Sequence, residues 1–165
     1  STSSVSIKQD ILNSLSLKIY ESCDKSKERQ DALIQCLKLR EEIFIVGQDV
    51  PPEIDFDGLD DQSVQLLVKH KDLPIATSRI RYVEETAKVE RVGVIEKYRN
   101  NGVGKFLMNS IVEFVKSNAE EKKTKVITLG AQDHAINFYE KLGFETYGEW
   151  YLDAGIKHKD MKMVL

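Results

Sequence analysis

Polar and apolar positions alternate over Leu15–Tyr20, "LSLKIY", the period of a strand with one wet face. From Ser26 to about Gln48 the period lengthens to that of a helix. Leu33, Leu37 and Phe44 fall near one face, and Gly47 sits close to the end. A loop of turn residues and carboxylates follows, "DVPPEIDFDGLDDQ". "SVQLLVKH" then reads as a strand, "KDLP" as a turn and "IATSRIRYV" as a second strand. "EET" reverses the chain and "AKVERVGVI" returns, which predicts an antiparallel hairpin. From Gly102 to about Glu121, residues Val103, Phe106, Leu107, Ile111, Phe114 and Val115 make the stripe of a helix lying on a sheet. "KVITLGA" is a buried strand, and "HAINFYEKLG" a short helix capped by Asp133 and ended by Gly143. "FETYGEWYLDAG" and "KHKDMKMVL" close the chain as two strands. The order β, α, three strands, α, β, α, β, β predicts a single α+β domain over residues 1–165, with a mixed, mostly antiparallel sheet.

Composition narrows the partners. The chain has 165 residues, 41% apolar and 31% charged, with a formal net charge of −3. That balance argues for a folded domain and against nucleic acid, which calls for a basic surface. No apolar run reaches the roughly 20 residues that span a bilayer. "STSSVSIKQD" lacks the charged and apolar regions of a secretory signal. Cys23 and Cys36 suit reduced thiols better than a disulfide scaffold, so the expected setting is the cytoplasm.

The segment "ERVGVIEKYRNNGVGKFLMNS" places an apolar strand, a basic loop with glycine and a helix start in direct succession. The first N–H groups of a helix have no partner inside it, and the peptide dipoles add positive charge there. Gly102 and Gly104 let a ligand approach the backbone, and Arg99 and Lys105 add charge. Physics alone makes this a cradle for a diphosphate. The spacing fits neither a P-loop nor G-x-G-x-x-G, because Leu107 stands where the third glycine belongs. An ordinary strand-to-helix turn that needs glycine for its geometry is the competing reading.

"RNNGVG" resembles the [QR]-x-x-G-x-[GA] segment of the GNAT superfamily of N-acetyltransferases. "AQDHAINFYEKLGF" resembles that superfamily's later strand–helix segment. "LREEIFIVGQDVPPEIDFDGLDDQSVQLLV" is similar to a bacterial-type branch whose members are often labelled glucosamine-phosphate acetyltransferases. The resemblance implies a GNAT fold, with six to seven strands flanked by about four helices. It implies acetyl-CoA in an opening between "VERVGV" and "KVITLGA", its pantetheine pairing with Val92, Gly93 and Val94. The diphosphate would meet Arg99, Asn100, Asn101, Gly102, Val103, Gly104 and Lys105, while Asn137 and Tyr139 would lie near the sulfur. Tyr139 matches the usual proton donor to the leaving thiolate, although an aromatic there also suits core packing. The amide of Val92 or Gly93 would hold the oxyanion. A homodimer is implied by the resemblance alone.

Three other features bear on the acceptor. For the base, Glu90 shares a strand face with Val92 and Val94 by period two, with His134 or a water relay as rivals, and a surface or ion-paired Glu90 beside Arg91 is the competing reading. Arg79 and Arg81 suit a phosphate or carboxylate, or else make a solvated, salt-bridged strand face, and the substrate set is completed by Glu90 and Gln132. A two-residue loop at Glu84–Glu85 puts both arginines on the side of Glu90, and a three-residue loop puts them opposite. The carboxylates Asp49, Glu53, Asp55, Asp57, Asp60 and Asp61 form either a solvated loop or a pocket wall that draws a cationic amine. Leu59 breaks any calcium-loop pattern, and His70 and His158 lack ligand spacing, so no metal is expected. The leading expectation is acetyl transfer to a small-molecule amine, D-glucosamine 6-phosphate first. A protein, peptide or polyamine acceptor, or a non-catalytic CoA-binding module, stands as the alternative.

Overall fold

The computed structural model describes residues 4–165, with side chains from Ile7 onward. Helices are α1 Ser4–Asn13, α2 Lys27–Arg40, α3 Pro52–Asp55, α4 Val103–Ser117, α5 Ala119–Lys122 and α6 Ile136–Lys141. Strands are β1 Leu15–Tyr20, β2 Val64–His70, β3 Leu73–Val83, β4 Thr86–Val94, β5 Val126–Gln132, β6 Glu145–Asp153 and β7 Ile156–Val164. The seven strands form one mixed sheet in the order β1-β2-β3-β4-β5-β7-β6. The architecture is α+β. No described helix is long and apolar enough to cross a membrane.

The chain divides into two compact units. The first holds residues up to Arg79 together with Arg91–Leu107, and the second holds Ile80–Glu90 with Met108–Leu165. In the first, β1 runs antiparallel to β2 with Leu15 opposite His70 and Tyr20 opposite Gln65. Its core gathers Tyr20, Ala32, Cys36, Leu39, Ile43 and Leu67, with Phe44 and Ile95 packed against them. Burying an aliphatic chain of this size is worth about 1.5–3 kcal/mol. Ser26 caps α2, its hydroxyl accepting from the Arg29 amide at 3.2 Å.

The buried face of α2 differs from the expected one. It carries Arg29, Ala32, Cys36, Leu39 and Arg40, while Leu33 and Leu37 are half-buried. A hydropathy pattern assigns arginine to the wet face, yet Arg29 here donates to the carbonyl oxygens of Asp60, Asp61 and Ser63. Past Arg40 the helix widens into a π-helical turn, Glu41–Val46, and the helical run ends at Gln48. Helix α1 is an element the sequence reading did not anticipate.

In the second unit, β3 and β4 join through the two-residue loop Glu84–Glu85, the shorter alternative, with Glu84 left-handed. β4 runs parallel to β5, with Thr86, Ala87 and Lys88 opposite Val126, Ile127 and Thr128. β7 lies antiparallel to both β5 and β6. The β6–β7 turn has Ala154 and Gly155 at φ 52° and 76°, the twist that a tight hairpin needs. A bulge between Tyr147 and Tyr151 interrupts the β6 register. Met108, Ile111 and Val115 of α4 are fully buried, and alternate residues Ile127, Leu129 and Ala131 of β5 are buried. α4 ends at Ser117 rather than near Glu121, where Asn118 Nδ2 donates to the Phe114 carbonyl at 2.8 Å. Asp133 does not cap α6: its Oδ1 accepts from the His134 amide, and a 3-10 turn intervenes.

Candidate active site

In the first unit the chain leaves β4 through a 3-10 turn, Glu96–Tyr98, and enters the glycine loop. Tyr98 anchors this entry. It is buried, its hydroxyl lies 2.8 Å from His70 Nδ1, and its carbonyl accepts from Asn101 Nδ2. Asn100 and Gly102 are left-handed, at φ 65° and 82°. A β-carbon at Gly102 would stand 3.3 Å from Lys8 Cε and 3.5 Å from the Leu12 methyl groups. Glycine is therefore required by conformation and by space. The Phe106 amide donates to the Gly102 carbonyl and starts α4, so Val103, Gly104 and Lys105 carry the N–H groups without a partner inside the helix. Lys105 and Arg99 are exposed, and Arg99 Nε donates to the Val94 carbonyl at 3.0 Å. Conformation, free amides and exposed cations fit a diphosphate.

Just upstream, Arg91 is left-handed in mid-strand, at φ 56°. The period-two count that put Glu90, Val92 and Val94 on one face therefore does not carry across it. Gly93 is buried, and a β-carbon there would meet Ile43 Cδ1 at 3.0 Å and Phe44 Cζ at 3.1 Å. The π-helical turn thus packs directly on this stretch of β4.

The acidic loop is not an open wall. Arg40 Nε lies 3.2 Å from Asp55 Oδ2, and Arg40 Nη1 lies 2.6 Å from Asp60 Oδ1. Arg79 donates to both oxygens of Asp57, at 2.9 and 2.6 Å, and to Asp60 at 3.3 Å. Arg91 Nη2 donates to Asp57 Oδ2 at 3.2 Å and to the Ile54 carbonyl at 3.1 Å. Its Nε lies 3.2 Å from Asp55 Oδ1, a charge contact without hydrogen-bond alignment. Three arginines and three aspartates alternate around a closed ring. The hydrogen bonds and charge of Arg79 hold Asp57 well below the ordinary carboxylate range. Burial pushes Asp60 up, but Arg40 and Arg79 outweigh it and the net shift is downward. Arg79, expected to bind substrate, is 1% exposed and committed to this ring. Sequence reasoning missed Arg40 and Arg91, and the signal it could have used was the match between the loop's carboxylates and nearby arginines.

In the second unit, Arg81 holds Glu90 through two hydrogen bonds, Nε to Oε1 at 3.1 Å and Nη2 to Oε2 at 3.2 Å. Tyr139 is buried between Phe138 and Phe144, ring centroids 5.1 and 6.1 Å away, both edge-on. Burial pushes its phenol up to about 12. Asn137 is exposed. His134 is 72% exposed with its Nδ1 3.8 Å from Asp133. Gln132 stands opposite His158 in the β5–β7 ladder. Tyr151 stacks on His158 at 5.7 Å, donates to Asp160 at 2.7 Å and covers Gly130, where any β-carbon would strike its hydroxyl. The structure thus joins Glu90 to Arg81 and gathers the loop residues, while His134 points to solvent.

The family described as "Acetyltransferase (GNAT) domain" matches residues 53–165. The chain is 31% identical to the uncharacterised N-acetyltransferase YjcF of Bacillus subtilis, over 81% of this chain and 94% of that protein. The crystal structure of Escherichia coli ElaA superposes with a TM-score of 0.76 at 30% identity, covering 90% of this chain and 99% of that one. A GNAT family acetyltransferase from Elizabethkingia anophelis, solved with acetyl-CoA bound, has a TM-score of 0.60 at 18% identity, over 93% and 99% of the two chains.

Proposed function

Because the chain belongs to the GNAT acetyltransferases, for which acetyl-CoA is the cosubstrate, we propose that it moves the acetyl group directly onto a primary amine. The amine nitrogen bonds to the thioester carbon, the C–S bond breaks, and its electron pair leaves on sulfur. The amine sheds one proton to a base, and the sulfur gains one. We assign the base to Glu90, oriented by Arg81, and the donor to Tyr139, whose raised pKa keeps its proton in place at neutral pH. His134, largely in solvent, has less to hold it in one pose. Direct transfer is supported by Cys36, whose thiol burial pushes up to about 11, far from a thiolate nucleophile.

The observation that carries the proposal is the loop from Arg99 to Lys105, with left-handed Asn100 and Gly102 at the mouth of α4. The Val92–Val94 backbone takes the pantetheine in the same reading. An amino-sugar phosphate loses one of its two supports, since Arg79 is buried among aspartates and Arg81 is engaged by Glu90. The acceptor is therefore assigned as a primary amine without a phosphate requirement. A homodimer, a single domain over 1–165 and a cytoplasmic setting belong to this proposal, the last supported by two free thiols. Calorimetry with acetyl-CoA, followed by an acetylation panel of amino sugars, diamines and peptides, tests it. Binding with turnover on an amine supports the reading. Binding without any turnover favours a CoA-sensing module, and no binding refutes the proposal.

A further inference from the structure

We propose that the Arg–Asp ring is a positioning device for the oxyanion amide, with Arg91 as its working end. This inference rests on the acetyl-CoA reading above. Arg91 is left-handed inside β4, a conformation in which the β-carbon of an L-residue crowds the following carbonyl oxygen. Nothing in its own side chain offsets that crowding, as the carboxamide of an asparagine would. The surroundings must therefore hold it. They do so through four contacts. The guanidinium reaches the Ile54 and Asp55 carbonyls at 3.1 and 3.4 Å, Asp57 Oδ2 at 3.2 Å and Asp55 Oδ1 at 3.2 Å.

Those anchors are themselves fixed. Asp55 is 1% exposed and held by Arg40 through its carboxylate and, at 2.7 Å, through its carbonyl. Asp57 is held by Arg79, and Asp60 closes the ring between Arg79 and Arg40 with Gln65 donating to it at 3.1 Å. The ring so ties α2, the acidic loop, β3 and β4 to one point. On the other side of that point, Gly93 is wedged under Ile43 and Phe44. Val92 lies between two clamps, and the amides of Val92 and Gly93 are the oxyanion candidates. A donor aimed before reaction needs no reorganisation during it. Three positive and three negative charges balance within the ring, so it directs the backbone without adding net charge beside the thioester. An open acidic wall would add such charge.

The test uses the full-length protein and [1-13C]acetyl-CoA, with the infrared carbonyl stretch of the bound thioester as readout. Arg91→Gly is the informative variant, because glycine tolerates the left-handed backbone while removing the clamp. Asp57→Asn weakens the ring from the loop side, and Arg91→Lys is the conservative partner. The expected result is a carbonyl stretch lowered by binding to wild type, an effect at least halved in Arg91→Gly and Asp57→Asn and partly restored in Arg91→Lys. The acetyl-CoA Kd stays within about threefold throughout. A wild-type protein that binds acetyl-CoA without lowering the stretch, or variants that keep the full effect, would overturn the positioning role alone. A wild type that binds no acetyl-CoA overturns the reading beneath it.

Discussion

Asp57 illustrates how one residue's charge state is tied to its neighbours. Arg79 and Arg91 favour its carboxylate, so its folded pKa lies below the unfolded value near 3.8. A depressed acid stabilises the fold above the unfolded pKa, and that stability is lost as pH falls through and below it. Thermal unfolding from pH 7 to pH 2.5 should therefore show a falling Tm below about pH 4, and Asp57→Asn should flatten that fall while lowering Tm at pH 7. A Tm–pH profile identical to wild type would contradict the pairing. Tyr139 is shifted the other way, up to about 12, and stays protonated across the working range. Tyr139→Phe should cut kcat about a hundredfold or more with little change in acetyl-CoA Kd, within the range for removing one proton donor. An unchanged kcat would return Tyr139 to a packing role. Gly102→Glu places a carboxylate and a β-carbon where φ is 82° and Lys8 stands 3.3 Å away. Acetyl-CoA affinity in the folded variant should drop by about a hundredfold, as two charged groups of like sign meet at a helix start. Calorimetry with circular dichroism as a fold check measures it.

At the scale of elements, the π-helical turn and β4 are fitted to each other. Gly93→Ala drives a β-carbon against both methyl groups of Ile43 and the edge of the Phe44 ring. Overpacking of this kind costs about 1–3 kcal/mol, so Tm should fall by several degrees. A variant as stable as wild type would mean that Gly93 is retained for another reason. The strands and both motif-bearing helices were legible in the sequence, because hydropathy periods and turn residues are local signals, whereas the residues of the β3–β4 turn allowed either a two- or a three-residue loop. The ring was not. Arg40 and Arg79 are buried, and periodicity counts arginine as outward unless a distant carboxylate is known. Nor was the left turn at Arg91 legible, because arginine carries none of the glycine or asparagine signal that marks such positions. The loop at α4 was read from residue types, but Tyr98 and His70, which fix its entry, lie 28 positions apart.

For the molecule as a whole, 24 basic against 27 acidic side chains leave little net charge to steer a ligand. In the acidic loop Asp55, Asp57 and Asp60 are matched by arginines, which leaves Asp49, Glu53 and Asp61 as its remaining carboxylates, all exposed. In the function proposed above, recognition of the anionic cosubstrate falls to local features, chiefly the free amides and exposed cations at the start of α4. Similarity to ElaA runs along 90% of the chain, so the fold that presents this loop is shared across nearly its whole length. The most direct test follows the backbone amides of 15N-labelled protein during titration with acetyl-CoA. The account predicts that Gly102, Val103, Gly104 and Lys105 shift in a saturable, salt-sensitive manner, and that dephosphorylated pantetheine fails to move them. Acetyl-CoA that binds while those four amides stay still would contradict it.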